Sequence, residues 1–565
     1  MASMERIAII SSLSAAIAAS LQLAPTLASA GTSEATIETA NELAAMRSIA
    51  IAKWRREHPN PPPRHPATTV PVTTCADDGS AGTLRSVLAT VSTGDVVDLT
   101  GLSCDTITLN PALGYLMPNL AAGEFSIQGP GMQSLTISGG HEIQVLGNLE
   151  DIVINISDLS IADGYADDSW GGCLLAFAPY GGFRLTRVTV SGCEAHQVDL
   201  LHGSAVHGGA IMTGGTLELT DSIVTGNTVS SELPDAFPYQ NGMYGGGISV
   251  FSGPVTITHS SITSNTIVSS VVTSGFMGGG GLSVQSAIYD VTITDSVISG
   301  NTLDSTFVDD SGRVSRLSGA GLRAYQANTG LGNLVVSKST FDSNTITSAA
   351  NLLRIYGAGI AEAMNMTLSY STLSANDSAG YAGALMARGF FPCAISNSTF
   401  SGNHASGKGG AIFGAGPISL DSSTVAFNSS DSDAGGVYFN DNALFSSSIV
   451  ARNNGAPHPD FMVSSTAIVT GNNDFIGDPA GLVIAPGTLT GDPMLAPLAD
   501  NGGPTKTHAL LSNSTAIDAG ANGFALQYDQ RGPGFPRVNG PNPDIGAFET
   551  GTSATDEIFA NGFDP

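Results

Sequence analysis

The chain has 565 residues, of which 12% are charged, 6% are aromatic and 69 are Gly. Ordinary globular domains carry about 25% charged residues, so this chain is poor in charge, and its moderate hydrophobicity argues against disorder. The formal net charge of −28 disfavours nucleic acid and anionic membranes as partners and favours solubility.

The first thirty residues place Arg6 before an apolar run from Ile7 to Leu23 and end on Ala28-Ser29-Ala30. That order predicts a signal peptide over residues 1–30, and hence an exported protein, extracellular or held at the cell surface or outer membrane. An uncleaved anchor is the alternative. No later stretch is apolar and long enough to cross a bilayer. Residues 31–71 predict a helical segment followed by the Pro-rich linker "PNPPPRHP", whose fixed φ favours an extended spacer.

Export permits disulfides. Cys75, Cys104, Cys173, Cys193 and Cys393 show no zinc-ligand spacing, and neither a metal nor a cofactor is predicted. Cys75 with Cys104, and Cys173 with Cys193, would each close a loop, but the spacing does not fix the pairing. Cys393 falls at an inward strand position and is expected to be a buried, unreactive thiol.

Between residues 72 and 490 one phrase keeps returning. Its copies align on Asn227, Asn265, Asn301, Asn344, Asn376, Asn403, Asn428 and Asn453. Five positions earlier every copy has Ser, from Ser222 to Ser448, and apolar residues stand three, eight and ten positions before the Asn. Apolar positions spaced two, then by a break, then two describe a strand, a sharp bend and a second strand; an amphipathic helix would repeat at three and four. A Gly-rich segment such as "HGGAIM", "GGGISV" or "GAGLRA" precedes each phrase and reads as a corner entering a further strand. Three short strands per unit, stacked unit upon unit, predict an all-β, right-handed parallel β-helix, a pectin-lyase-like solenoid. In such a stack the Asn amides hydrogen-bond along a column and the Ser hydroxyls serve the bend. Both therefore repeat as scaffold and not as active sites.

Two stretches carry resemblances. "GGAI" at 208–211 and 409–412, with "FDSN" at 341–344 and "FSGN" at 400–403, resembles the GGA[ILV] and FxxN repeats of the polymorphic outer-membrane proteins, which are surface β-helix passengers. "CADDGSAGTLRSVLATVSTGDVVDL" at 75–99 is similar to the N-terminal opening of bacterial β-helix surface proteins. That resemblance implies a short helix capping the open end. "DPMLAPLADNGGPTKTHALLSNSTAIDAG" at 492–520, then "DQRGPGFPRVNG" and "DIGAFE", resembles the choice-of-anchor Q domain, which closes many secreted β-helix proteins. It implies a small C-terminal capping domain over 491–549, followed by a tail at 550–565. These resemblances imply location and architecture and no particular activity. Nothing after Glu549 suggests a membrane barrel.

The segments between each Asn and the next Gly corner vary in length and enter at the same corner: 229–244, 267–277, 303–317 and 346–356. Insertions on one side of a solenoid often form its binding face. Within them, Tyr239, Tyr244 and Phe307 are candidates for stacking on sugar rings, and Asp309 and Asp310 for binding hydroxyls or calcium. Two carboxylates about 5–10 Å apart also suit glycoside hydrolysis. However, the pectate-lyase-like "WIDH" and "RxPxxR" and the polygalacturonase-like NTD and RIK motifs are absent, and 20 Lys plus Arg in all argue against an anionic polymer as guest. His196, His202 and His207 read as exposed loop residues. In the C-terminal region Asp518, Asp529, Asp544 and Glu549 are expected to supply an ion-pair partner for Arg531, with calcium ligation as the alternative. The sequence thus predicts a monomeric, exported, non-enzymatic protein that binds glycans or the surface of a host or neighbouring cell. The alternative is a polysaccharide lyase or glycoside hydrolase of the same fold.

Overall fold

The computed structural model describes residues 68–551 apart from 168–169, 198–204, 232–241, 270–275, 286–288, 306–315, 326–331, 349–354, 390 and 465–468. The signal-like segment, the helical segment, the Pro-rich linker and nearly all of the tail lie outside the described residues. So do Tyr239, Phe307, Asp309 and Asp310.

One coil shows how the repeat folds. Strand Thr216–Thr220 meets a bend, then come Ile223–Thr225, a second bend, Thr228–Ser231, Met243–Tyr244, a Gly corner and Ile248–Val250. Alternation turns Leu217, Leu219 and Val224 into the core, where all three are fully buried. Each bend needs a left-handed residue: Asp221 (φ 49°) before Ser222 and Gly226 (φ 65°) before Asn227. Asp, Asn and Gly accept that conformation at little cost.

Coils stack in parallel register. Leu217, Val255, Val291, Leu334, Met366, Cys393, Ile418 and Ala443 form one inward column. Among the described residues the strands form sheets of 25, 9, 5 and 11 members: a bent sheet holding the Ser–Asn phrase, two narrow sheets, and the Gly-corner sheet. The fold is a right-handed parallel β-helix. Cys393 lies buried in its column, and burial pushes its thiol pKa well up. Disulfides join Cys75 to Cys104 and Cys173 to Cys193.

The three strands per unit expected from the sequence are too few. The segments read as insertions begin and end in strands of the nine- and five-stranded sheets, for example Thr302–Ser305 and Arg316–Ser318. Their inward residues Val229, Met243, Ile267, Met277, Leu303, Leu317, Ile346 and Ile355 build a second core. The segments between these paired strands differ in length from coil to coil, so strand and connection together read as one insertion in the sequence.

The repeated Asn side chains form a continuous chain. Asn265 Oδ1 accepts from Asn227 Nδ2 (2.8 Å) and from the Asn227 backbone N–H (3.1 Å), while Asn227 Nδ2 also donates to the Val190 carbonyl (3.2 Å). The same contacts recur coil by coil to Asn428 and Asn453. The column does not stop at Asn453, where the sequence spacing ends it. Asp460 Oδ1 accepts from Asn453 Nδ2 (2.9 Å) and N–H (3.0 Å). The Ser column runs alongside: each backbone N–H donates to the next Ser Oγ, as from Ser222 to Ser260 (3.1 Å), and the last donates to Asp474 Oδ1 (3.1 Å).

Helix Leu84–Leu88, N-capped by Thr83, buries Leu84, Val87 and Leu88 against the first coils. At the other end Leu482 and Ile484 pack on the core. The segment from 491 to 549 then runs back along the second strands of the bent sheet. Thr372 Oγ1 donates to the Lys506 carbonyl (2.6 Å), Thr399 Oγ1 to Gln530 Oε1 (2.6 Å), and the Ala547 N–H to Thr424 Oγ1 (3.0 Å). Two buried ion pairs hold its loops, Arg531–Asp529 (2.6 Å) and Arg537–Glu549 (2.9 Å).

Candidate functional site

On the outer flank, where the five-stranded sheet meets the Gly-corner sheet, alternation points every second residue away from the core. One column runs Met212, Ser249, Ser283, Arg323, Ala361, Met386, Phe413 and Tyr438. The facing column runs His207, Tyr244, Gly278, Ser318, Tyr356 and Tyr381. Together they line the flank with rings and cations.

The downstream half is self-satisfied. Tyr356, Tyr381, Phe413 and Tyr438 stack in turn with centroids 6.2, 5.2 and 5.0 Å apart. Arg388 lies over Tyr356 at 4.3 Å and Lys408 Nζ over Tyr438 at 4.4 Å. Phe413 and Tyr438 are thereby buried and offer little free face.

The upstream half differs. His207 is buried, stacked on Tyr244 at 5.0 Å and edged by Trp170 at 5.3 Å and Phe251 at 4.5 Å. Burial, and after it the charge of Arg323, pushes its pKa down to about 3, so the ring is neutral. Gln285 Nε2 donates to His207 Nδ1 at 3.0 Å, which leaves the ring proton on Nε2. The Arg323 guanidinium lies 5.2 Å from the Tyr244 ring and 5.1 Å from the Tyr325 ring. A Cβ at position 278 would collide with Arg323 Cδ, so Gly278 makes the room in which that side chain lies. Arg323 Nη1 and the Oγ of the adjacent, fully buried Ser283 are both enclosed and have no hydrogen-bond partner among the described residues. Tyr325, by contrast, is 38% exposed. Here the flank combines an open ring face with polar groups whose bonding capacity is unused.

Two other polar clusters are closed. Ser230 Oγ lies 2.6 Å from His196 Nδ1 and donates to Glu194 Oε1 at 2.5 Å. Acid and imidazole converge on one hydroxyl, whereas a nucleophile relay places the acid on the far nitrogen of the imidazole. Arg184, in a shallow groove on the bent sheet, is held between Glu218 (2.9 Å) and Glu124 (3.2 Å).

Of the binding residues picked from sequence, Tyr244 falls at this site, but not as a loop ring. It belongs to strand Met243–Tyr244, partly buried, and its ring stacks on His207. His207 is likewise a buried strand residue and not an exposed loop one, because the aromatic cluster encloses it. Tyr239, Phe307, Asp309 and Asp310 lie outside the described residues. Sequence reasoning missed Arg323, Tyr325, Ser283, Gln285 and Trp170. One signal was present: in "GAGLRAY" the residue between two inward positions is Arg, the one charged residue in a column that elsewhere has Met, Ser, Ala, Phe or Tyr.

No family model matches this chain, and no curated protein matches it. Among solved structures, the crystal structure of pectate lyase Pel9A aligns over 86% of this chain and 97% of that one, at 11% identity and a TM-score of 0.30.

Proposed function

We propose that this is an exported bacterial surface or extracellular protein that binds glycans without cleaving them, at the patch around Tyr325 and Arg323. The observation that carries the reading is the exposed Tyr325 ring beside two enclosed, unpartnered polar groups on a rigid outward column. Sugars are recognised by that combination of ring faces and fixed hydrogen-bonding groups. Export follows from the signal-like residues 1–30, and two disulfides suit an oxidising compartment. Surface display is in keeping with the likeness of the repeats to polymorphic outer-membrane proteins and of 491–549 to the choice-of-anchor Q domain. The protein acts as a monomer whose partners are glycans of a host or neighbouring cell.

The test has two arms. Cells making the protein are fractionated into medium, outer membrane and periplasm, and the purified chain is run through gels containing different polysaccharides. The reading expects protein in the medium or outer membrane and retardation by at least one polysaccharide. Neither reducing ends nor unsaturated products should appear. Product formation abolished by Asp309→Asn or Asp310→Asn would replace it with the lyase or hydrolase reading.

A further inference from the structure

We infer that Arg323 is the receptor for the carboxylate of a single acidic sugar unit whose ring lies against Tyr325. This rests on the glycan reading of the same patch and adds the class of ligand.

Among the described residues Arg85, Arg184, Arg187, Arg452, Arg531 and Arg537 each pair with a carboxylate at 2.6–3.2 Å, while Arg316 lies over the Phe276 ring and Arg388 over the Tyr356 ring. Arg323 pairs with no carboxylate among the described residues. Its contacts are the faces of Tyr244 and Tyr325, and Nη1 is enclosed without an acceptor. The groups around it cannot neutralise it: His207 is neutral, and burial raises the pKa of the Tyr244 phenol. Burial also lowers the pKa of the guanidinium itself, which is the signature of a cation short of a counter-charge. An enclosed, uncompensated charge is costly, and a carboxylate that pairs with it removes the penalty.

The geometry selects the ligand further. A guanidinium fork takes a carboxylate in a bidentate manner, with a fixed orientation. Ser283 Oγ, on the neighbouring strand of the same column, is enclosed beside the guanidinium and has no hydrogen-bond partner among the described residues. The exposed Tyr325 ring offers a face for the C–H groups of a pyranose. The overall charge of −28 repels a polyanion, so the guest is one acidic unit, terminal or isolated along a neutral glycan, and not a run of acidic sugars.

The test titrates the intact chain with methyl β-D-glucuronide and methyl β-D-glucoside, which differ only at the carboxylate. Binding is read by saturation-transfer NMR and tyrosine fluorescence. The wild type should prefer the glucuronide at least tenfold. Arg323→Gln should abolish the preference. Arg323→Lys, which keeps charge without the fork, should retain only part of it, with melting temperatures showing that both variants are folded. If Arg323→Gln fails to fold, the lysine variant and Ser283→Ala still decide the point, each lowering glucuronide affinity at least threefold. Equal binding of the two glycosides by the wild type, or a preference unchanged in Arg323→Gln or Arg323→Lys, overturns the inference. Retardation by neutral polysaccharides without glucuronide binding sinks the carboxylate and spares the glycan reading; loss of both sinks both.

Discussion

Asp460 shows what a ladder requires at its end. Every Asn in the column donates its backbone N–H and one amide N–H to the next coil and its other amide N–H to the preceding one, so the residue at the end must supply acceptors. A carboxylate meets that need: Oδ1 takes two bonds from Asn453, and Oδ2 accepts the Asp478 N–H at 2.7 Å. Asp460→Asn would set an amide NH2 against the Asp478 N–H, and the buried mismatch should cost about 1–3 kcal/mol. Thermal melting checks this, and an unchanged midpoint would contradict it. Asn453, being interior to the column, becomes as sensitive as Asn301. The Asn and Ser positions were legible because stacking demands the same side chain at the same place in every coil. Asp460 was not, since it stands seven residues after Asn453 and outside the repeat. Arg323 left only the trace of a charge in an outward column of mixed residue types, and Tyr325 left none, because outward positions are not held to one side chain by stacking.

At the scale of the element, the Ser column carries a pH dependence at its C-terminal end. Burial, with the nearby charge of Asp421 adding to it, raises the pKa of Asp474 from 3.8 to about 7. A folded pKa above the unfolded one means the native state holds the extra proton between roughly pH 4 and 7. The contribution is full below that window and is lost as pH rises through 7. Glu362, raised to about 8 by burial, acts in the same direction. Melting temperature should therefore be higher at pH 5 than at pH 8. Asp474→Asn, which keeps an acceptor for the Ser448 N–H, should narrow that difference. A variant with the full wild-type difference would rule out Asp474 as a contributor. The bent sheet was readable because its strands keep fixed offsets from the repeated Ser and Asn in every coil. The two narrow sheets were not. For this reason, replacing 229–243 and 303–317 as though they were surface loops would remove Val229, Met243, Leu303 and Leu317 from the second core.

For the whole molecule, the stack does two jobs with different residues. Inward columns and ladders fix the coils in register, and the segment from 491 to 549 braces the bent sheet. The flank of the five- and eleven-stranded sheets is thereby left as a stiff surface on which single side chains can differ without disturbing the fold. The central claim is that this flank binds glycans through Tyr325 and its neighbours while the repeats serve only as scaffold. Tyr325 is exposed, so its loss leaves the core intact. The most direct measurement is the retardation of Tyr325→Ser in a gel containing a polysaccharide that holds back the wild type, with melting followed in parallel. The prediction is a loss of affinity of at least tenfold at an unchanged melting temperature; retardation equal to that of the wild type would contradict it.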